Sequence, residues 1–216
     1  NEKNISKTIN SHNIRTTFIN KLPFSKYLYK YYLLLMPYAL KKLDLRKYDL
    51  IISCESGPSK GIIKNKNSYH VCYCHTPMRY LYDMRNEYLK KYNFLFKKII
   101  NSFFDYLRKW DYKTSQKIDL IIANSKFVSN RIKKCWNRNS VVINPTINLD
   151  EFSISKSKKS YYIVLSELVS YKRIDIAIEA FNTNKKELYV IGSGSLLNKF
   201  KRISNKNIRF LDNVND

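Results

Sequence analysis

Residues 118–134 read IDLIIANSKFVSNRIKK and contain one complete strand-to-helix transition. The apolar run Ile118–Ala123 has strand length and predicts a strand that is covered on both faces, as in a parallel sheet. Ser125 follows, and its side chain can accept from the unpaired N–H groups at the start of a helix. We therefore predict a helix over 125–134 and, for the segment as a whole, the repeating unit of an α/β fold.

The same alternation continues on both sides of this segment. Further strands are predicted at 48–53, 69–74, 140–143, 161–165, 187–191 and 208–211, and further helices at 94–117, 172–182 and 195–203. Strands that alternate with helices in this way are typical of a doubly wound α/β fold with parallel sheets.

A polar stretch separates two groups of strands. Residues 147–160 are rich in Ser and Lys in their second half and show no periodicity, so we interpret 151–160 as a linker. The prediction is a first domain over 1–150 and part of a second over 161–216. The second part has three strands and two helices, about half of a nucleotide-binding unit.

The composition limits the classes of protein that the chain can belong to. It has 216 residues, 44% of them hydrophobic, so a buried core is possible, and its 4 glycines exclude a glycine-rich solenoid. Its 40 Lys and Arg against 17 Asp and Glu give a net charge of +23. Two explanations remain open: compositional bias, or an anionic partner such as a membrane surface or a phosphate-rich ligand. The 4 cysteines do not suggest a disulfide scaffold, and no apolar run is long enough for a membrane helix.

The segment HVCYCHTPMRY, residues 70–80, places a histidine directly after a predicted strand. Ligands bind at the carboxyl ends of strands in open α/β sheets, and His75 could there bind a sugar hydroxyl or move a proton. Its alternative role is to satisfy a loop carbonyl or cap a helix. His70, Cys72 and Cys74 share one strand face, but their spacing is not that of a zinc site, and buried packing is the simpler reading.

Three other loops also follow predicted strands. Lys172 and Arg173 lie in LSELVSYKRIDIAIEAF before a helix, where two cations and a helix N-terminus suit a diphosphate. VIGSGSL, residues 190–196, holds two glycines that allow a tight turn beside a ligand. CESGPSKG, residues 54–61, could line a cleft with Ser56 and Gly57. Each loop could equally be a solvated connection.

The segment 21–37 is aromatic and basic. Tyr and Lys side chains that alternate with apolar residues suit a bilayer interface, but they also suit a helix that packs on its own domain.

Taken in order, these motifs resemble the retaining glycosyltransferases of family 4, which have the GT-B fold, and among them a bacterial mannosyltransferase-like branch. YCHTPMRY and LVSYKRID carry the resemblance most specifically. Looser matches are IRTTFINKLPF, LMPYAL, YDLIISCESGPSKGI, IDLIIANSKFVSNRIKK, VINPTINLDEF, YVIGSGSL and NIRFLDNV.

The resemblance implies a function and a role for each site residue. Two Rossmann-like domains would move a mannose-like hexose, with retention, from a nucleotide-diphosphate sugar to a lipid-linked or glycan acceptor in polysaccharide synthesis. His75 would lie beside the transferred sugar. Donor contacts would come from Lys172, Arg173, Gly192 and Gly194, and acceptor contacts from Ser56, Gly57 and Arg79. No cofactor or metal is implied, because the lysine and a helix N-terminus would neutralise the diphosphate.

The sequence departs from the family pattern at several places. Glu167 stands where the family often has an arginine, and Ser193 where it often has an aspartate. The family's first strand would precede Asn1, and its paired glutamates would follow Asp216. We therefore expect a GT-B enzyme truncated at both ends and inactive by itself.

The expected location is cytoplasmic, with peripheral contact to an anionic membrane and no specific nucleic acid partner. The alternatives are a non-catalytic polyanion- or nucleic-acid-binding module and a degenerate transferase fragment.

Overall fold

The computed structural model describes residues 9, 11–28, 31–90, 92–154 and 157–211. The chain forms two compact units, Asn1–Ile147 and Asn148–Asp216, and each is described by itself.

The first unit is built on a sheet of four parallel strands in the order β1-β2-β3-β4. The strands are β1 (Leu50–Glu55), β2 (Tyr69–Cys74), β3 (Leu120–Ala123) and β4 (Val141–Val142). The helices are α1 (Ser25–Leu28), α2 (Met36–Lys41), α3 (Arg85–Leu89), α4 (Phe94–Ser115) and α5 (Lys126–Trp136). Short 3₁₀ turns lie at Phe18–Lys21, Tyr31–Leu35, Ser59–Gly61 and Arg79–Leu81.

The second unit has three parallel strands in the order β5-β6-β7. They are β5 (Tyr162–Leu165), β6 (Leu188–Ile191) and β7 (Ile208–Leu211), with helices α6 (Ile174–Asn184) and α7 (Leu197–Ile203) between them. Turns of 3₁₀ helix lie at Leu149–Glu151 and Ser170–Lys172. The predicted strand and helix positions are thus confirmed, with shifts of a few residues at their ends.

The segment 118–134 folds as its sequence indicates. The Ser125 side chain accepts from the Val128 N–H at 3.2 Å and so caps the start of α5. The buried face of α5 then packs against the sheet in one core cluster, formed by Cys72, Cys74, Ile118, Ile121, Ala123, Val128, Ile132 and Trp136. In the second unit α6 and α7 pack in the same way on β6 and β7.

The expectation that both faces of the strands are covered is wrong for the described residues. Burial alternates along β1, where Ile51 is buried while Ile52 is 65% exposed. In β5, Leu165 is 78% exposed. The strand order explains the exposure. In each sheet every new strand joins the same edge, and because crossovers between parallel strands are right-handed, all connections then lie on one face of the sheet. In the second unit, apolar residues of β5 such as Ile163 and Leu165 are therefore exposed.

The helix predicted at 172–182 begins later, at Ile174. Arg173 has φ +52°, a left-handed conformation that separates the 3₁₀ turn at Ser170–Lys172 from α6.

Of the aromatic segment at 21–37, residues 29 and 30 lie outside the described residues. Phe24 and Tyr27 are 74% and 81% exposed, while Leu33 and Leu34 pack against a cluster of Met78, Leu81 and Leu107. The segment therefore has both an outward and an inward face. No helix in the described ranges is long and apolar enough to span a bilayer.

Candidate functional site

His75 lies at the carboxyl edge of the first sheet, one residue beyond β2. Glu55 pairs with Cys74 across β1 and β2, so the two strands end side by side. The His75 N–H donates to the Glu55 carbonyl at 2.7 Å. Its ring Nε2 lies 3.1 Å from the exposed thiol of Cys54, within hydrogen-bond distance, and the tautomer decides which group donates.

The loop that follows β1 belongs to the same edge. Ser56 is exposed and Gly57 half-buried, and both come directly after Glu55, whose carbonyl holds His75. The structure thus brings His75, Ser56 and Gly57 together on neighbouring strand ends. A polar edge with an imidazole and exposed main chain can bind hydroxyl groups and exchange a proton with them.

Arg79 stands one turn further along the chain. It opens the 3₁₀ turn Arg79–Leu81, and its side chain is exposed. Its main-chain carbonyl accepts from Met84 N–H at 2.9 Å. The charge of Arg79 also contributes to a lowered pKa of Asp83, although the hydrogen bond from Arg131 is the largest cause.

Arg131 fixes the turn after His75, a role that the sequence did not reveal. Its guanidinium donates to the Thr76 hydroxyl at 3.0 Å and the Pro77 carbonyl at 3.4 Å. It also makes a two-bond ion pair with Asp83. One side chain of α5 thereby ties the His75 turn to the helix. The only sequence signal was an arginine in a helix after a strand, which is too common to interpret.

His70, Cys72 and Cys74 are buried packing residues. His70 is 2% exposed, lies 2.8 Å from the Ser53 hydroxyl, and burial lowers its pKa, so its ring is neutral near pH 7. Burial raises the pKa of the Cys72 thiol to about 12, so this side chain is a neutral thiol near pH 7. Within the described residues, no group of three His, Cys, Asp or Glu side chains could hold a metal ion.

In the second unit, two loops meet at the carboxyl edge of β5 and β6. The Ser193 carbonyl accepts from the Leu168 N–H at 2.8 Å, and the Leu168 carbonyl accepts from the Leu196 N–H at 3.0 Å. Gly192 and Gly194 have φ of +134° and +157°. A Cβ on Gly194 would lie 2.5 Å from the Leu168 carbonyl oxygen, and one on Gly192 would collide with that of Ser166. Only glycine allows this approach of main chain to main chain.

The two cations of this edge are placed differently. Lys172 is exposed, and its ammonium lies 5.7 Å from the centre of the Tyr171 ring. The guanidinium of Arg173 pairs with Asp175 at 3.0 Å and lowers the pKa of that carboxyl. Glu167 is also exposed and accepts from the Tyr171 hydroxyl at 3.4 Å. Among the residues that the structure describes, no carboxylate pairs with Lys172, whereas Arg173 is held by Asp175.

A wholly buried ion cluster lies beneath the first edge, and sequence reasoning missed it. The Lys60 side chain lies between the carboxylates of Glu55 and Asp111, and each of the three side chains is at most 1% exposed. Asp111 also accepts from Tyr82 Oη at 2.8 Å and Trp136 Nε1 at 2.7 Å. Glu55 and Lys60 belong to one loop, but Asp111 lies 51 residues after Lys60, so only the fold completes the cluster.

Comparison with known proteins places the chain in a family. The sequence model described as "Glycosyltransferase Family 4" matches residues 6–151. The chain therefore belongs to glycosyltransferase family 4, as the sequence motifs predict. No curated protein matches it in sequence.

Solved structures with the same fold include two of TarM. One is a mutant of TarM from S. aureus in complex with Fondaparinux, α-GlcNAc-glycerol and UDP, at 16% identity and a TM-score of 0.54. A second TarM structure gives 16% identity and 0.52. Each likeness covers 84% of this chain and 36% of TarM, so the chain spans about a third of the length of that relative. The likeness confirms the predicted α/β fold of the GT-B type.

Proposed function

We propose that this chain forms part of a retaining glycosyltransferase that moves a mannose-like hexose from a nucleotide-diphosphate sugar to a glycan or lipid-linked acceptor. The observation that carries the proposal is His75 at the carboxyl edge of the first sheet, inside the stretch that matches glycosyltransferase family 4. A TarM structure that contains UDP and α-GlcNAc-glycerol supports the same classes of donor and acceptor.

In this proposal the second unit binds the donor. The main-chain turn at Gly192–Gly194 borders the nucleotide, and Lys172 neutralises the diphosphate together with the start of α6. Arg173 contributes less, because Asp175 already occupies its guanidinium. Neutralisation by protein groups would make a metal cofactor unnecessary, and transfer that persists in EDTA would support this part of the proposal.

The first unit binds the acceptor and supplies the group beside the transferred sugar. His75, Ser56 and Gly57 line one edge, and Arg79 follows one turn later. Near pH 7 a histidine can accept or donate a hydrogen bond to a sugar hydroxyl as the reaction proceeds.

We test donor binding by calorimetric titration with UDP and GDP. Lys172→Met should weaken the binding of the preferred nucleotide at least tenfold, because it removes the cation at the diphosphate. Lys201→Met, an exposed lysine near the end of α7, is the matched control and should bind as the parent does. Equal weakening by both variants would contradict a donor site and favour general polyanion binding.

Transfer itself is measured in the glycosyltransferase of which this chain forms part, as acceptor-dependent release of nucleoside diphosphate. We expect His75→Gln to lower kcat by at least about 10²-fold, the usual scale for a side chain that assists proton movement. His12→Gln, which also replaces an exposed histidine, should leave kcat unchanged. Full activity of His75→Gln would remove His75 from the site.

We also propose peripheral contact with the anionic inner face of the cytoplasmic membrane, and a place in cell-surface polysaccharide synthesis. The support is an exposed apolar and basic surface in the first unit. Phe94, Leu95 and Phe96 at the start of α4 are 83%, 71% and 59% exposed and precede Lys97 and Lys98. Aromatic side chains beside lysines suit a headgroup region that carries negative charge.

A further inference from the structure

The buried cluster of Lys60, Glu55 and Asp111 is expensive to maintain. Moving charged groups out of water costs several kcal/mol for each ion, and replacing such triads by well-packed hydrophobic side chains of similar volume often leaves a protein equally stable or more so. Burial works against the charge of Lys60, but the two carboxylates outweigh it and raise the pKa of the ammonium. Stability alone therefore does not explain the cluster, so we looked for the part of the fold that its contacts fix in position.

The cluster closes the loop that follows β1 upon itself. Glu55 Oε2 accepts from the Lys60 N–H at 2.9 Å and from the Ser59 hydroxyl at 3.2 Å. The Lys60 ammonium reaches the Gly57 carbonyl at 3.4 Å as well as Glu55 Oε1 at 3.0 Å. The path of the loop from Glu55 to Lys60 is thus fixed at both ends and in the middle.

The same cluster is anchored in the helices behind the sheet. Asp111 extends from α4, and Trp136 at the end of α5 donates to it. The Trp136 ring also lies 4.7 Å from the Lys60 ammonium, a cation–π contact. The loop is consequently held by two helices as well as by its own side chains.

Glu55 also connects the cluster to the histidine. While its side chain holds Lys60, its main-chain carbonyl accepts from the His75 N–H at 2.7 Å. Rotation or retreat of Glu55 would displace His75 and the Ser56–Gly57 main chain together. A displacement of about 1 Å at a reacting group can cost a large factor in rate or binding.

We propose that Lys60, Glu55 and Asp111 are positioning residues that hold Ser56, Gly57 and His75 in one fixed arrangement for the acceptor. The proposal rests on the function proposed above for the identity of the ligand. The cluster itself does not touch that ligand, and it acts through the main chain of the loop and through the peptide of Glu55.

The test replaces the whole cluster by neutral side chains of similar shape, because Lys60→Met alone would leave two buried carboxylates without their cation. In the triple variant Glu55→Met, Lys60→Met, Asp111→Asn, the amide oxygen of the third substitution can still accept from Tyr82 and Trp136, while the bonds from Ser59 and Lys60 to the Glu55 carboxylate are removed. We expect this variant to melt close to the parent, because no charge is left buried without a partner. We also expect the acceptor KM to rise at least tenfold, while the KM of the sugar nucleotide stays within twofold.

The matched control is Lys64→Met, which breaks another ion pair of the same unit. Its ammonium lies 2.6 Å from Asp119, at the opposite end of the strands from His75. This variant should keep both KM values. An acceptor KM that rises equally in the control would assign the effect to general loss of structure and overturn the proposal.

A second measurement does not depend on sugar transfer. Amide hydrogen exchange of His75 and Lys60 should become at least tenfold faster in the triple variant, while that of Ile121 inside the sheet stays unchanged. Unchanged exchange at His75 and Lys60 would overturn the positioning role, even if the enzyme is active. If the parent protein transfers no sugar but the exchange rates change as expected, the proposed function fails and the positioning role stands.

Discussion

A single methyl group placed at either of two glycines in one loop should have opposite effects on stability. Gly57 has open space around the position of a Cβ. At Gly61 a Cβ would lie 2.5 Å from Trp110 Cη2 and closer still to Cζ2. Carbon atoms in contact prefer about 3.5–4.0 Å, so the indole of Trp110 would have to retreat by about 1 Å or more. The ring packs against Met78, Leu81 and Leu107, which restrict that movement.

The expected magnitudes follow from these two environments. Overpacking a filled site costs about 1–3 kcal/mol. Replacing glycine by alanine at an ordinary φ gains about 0.4–1 kcal/mol, because the unfolded chain loses freedom. We therefore expect Gly61→Ala to destabilise the first unit by about 1–2 kcal/mol and Gly57→Ala to stabilise it by about 0.5 kcal/mol.

Urea unfolding followed by tryptophan fluorescence measures this difference. Both tryptophans of the chain, Trp110 and Trp136, belong to the first unit, so the signal reports that unit alone. With an m value of about 1–3 kcal/mol per molar urea, the two variants should differ in midpoint by roughly 1 M. A Gly61→Ala midpoint equal to or above that of Gly57→Ala would refute the packing argument.

Three further results are expected. Asp83→Asn should lower the stability of the first unit by at most about 1 kcal/mol at pH 7, since the carboxylate is partly exposed. Because Arg131 lowers the pKa of Asp83, the loss should be fully present above the unfolded-state pKa near 4 and vanish as the pH falls through the lower folded-state value. Gly192→Ala should reduce nucleotide binding at least tenfold in a titration with UDP or GDP, since φ is +134° and the Cβ meets main chain. Phe96→Ser should reduce flotation with vesicles that contain phosphatidylglycerol, whereas Phe127→Ser, at a still more exposed ring on α5, should not.

Each of these expectations has an outcome that contradicts it. A stability difference for Asp83→Asn that does not shrink as the pH falls below about 4 would exclude the ion pair as its cause. Unaltered nucleotide binding by Gly192→Ala would move the donor away from this turn. Equal flotation of both phenylalanine variants, or flotation that does not change with salt, would argue against an electrostatic membrane surface on α4.

The order of the strands and helices could be predicted because it depends on local pattern. The run at 69–74 is apolar and bounded by polar residues, and it forms β2 with the predicted ends. Ser125 caps α5 as expected, since a cap depends on a few neighbouring residues. The break before α6 was missed because the left-handed φ of Arg173 is imposed by the surrounding loop and not by the residue itself.

The residues of the candidate sites also differ in whether their positions could be predicted from the sequence. The positions of His75 and Lys172 after strands were evident from sequence, because the topology of a parallel sheet brings strand ends to one edge. Two other features were not evident from the sequence: the pairing of Arg173 with Asp175 and the burial of Lys60 between two carboxylates. In a chain with a net charge of +23 no pattern distinguishes a buried lysine from the exposed ones. Only the three-dimensional neighbours of a charge make that distinction.

The two units stabilise their strand-end loops by different means, and this difference bears on how freely the loop residues of each unit can change. In the first unit, side chains from distant elements hold the loop: Lys60 with Asp111 beneath it, and Arg131 beside the His75 turn. In the second, main chain holds main chain, through Leu168 and the turn at Gly192–Gly194. A loop held by its backbone leaves its side chains free to vary, so the strand-end loops of the second unit can exchange residues such as Glu167 without losing their shape. A loop held by buried ions has no such freedom, because removal of one partner leaves another charge uncompensated. The strand-end loop of the first unit is therefore the one whose geometry depends on a residue far away in sequence, Asp111.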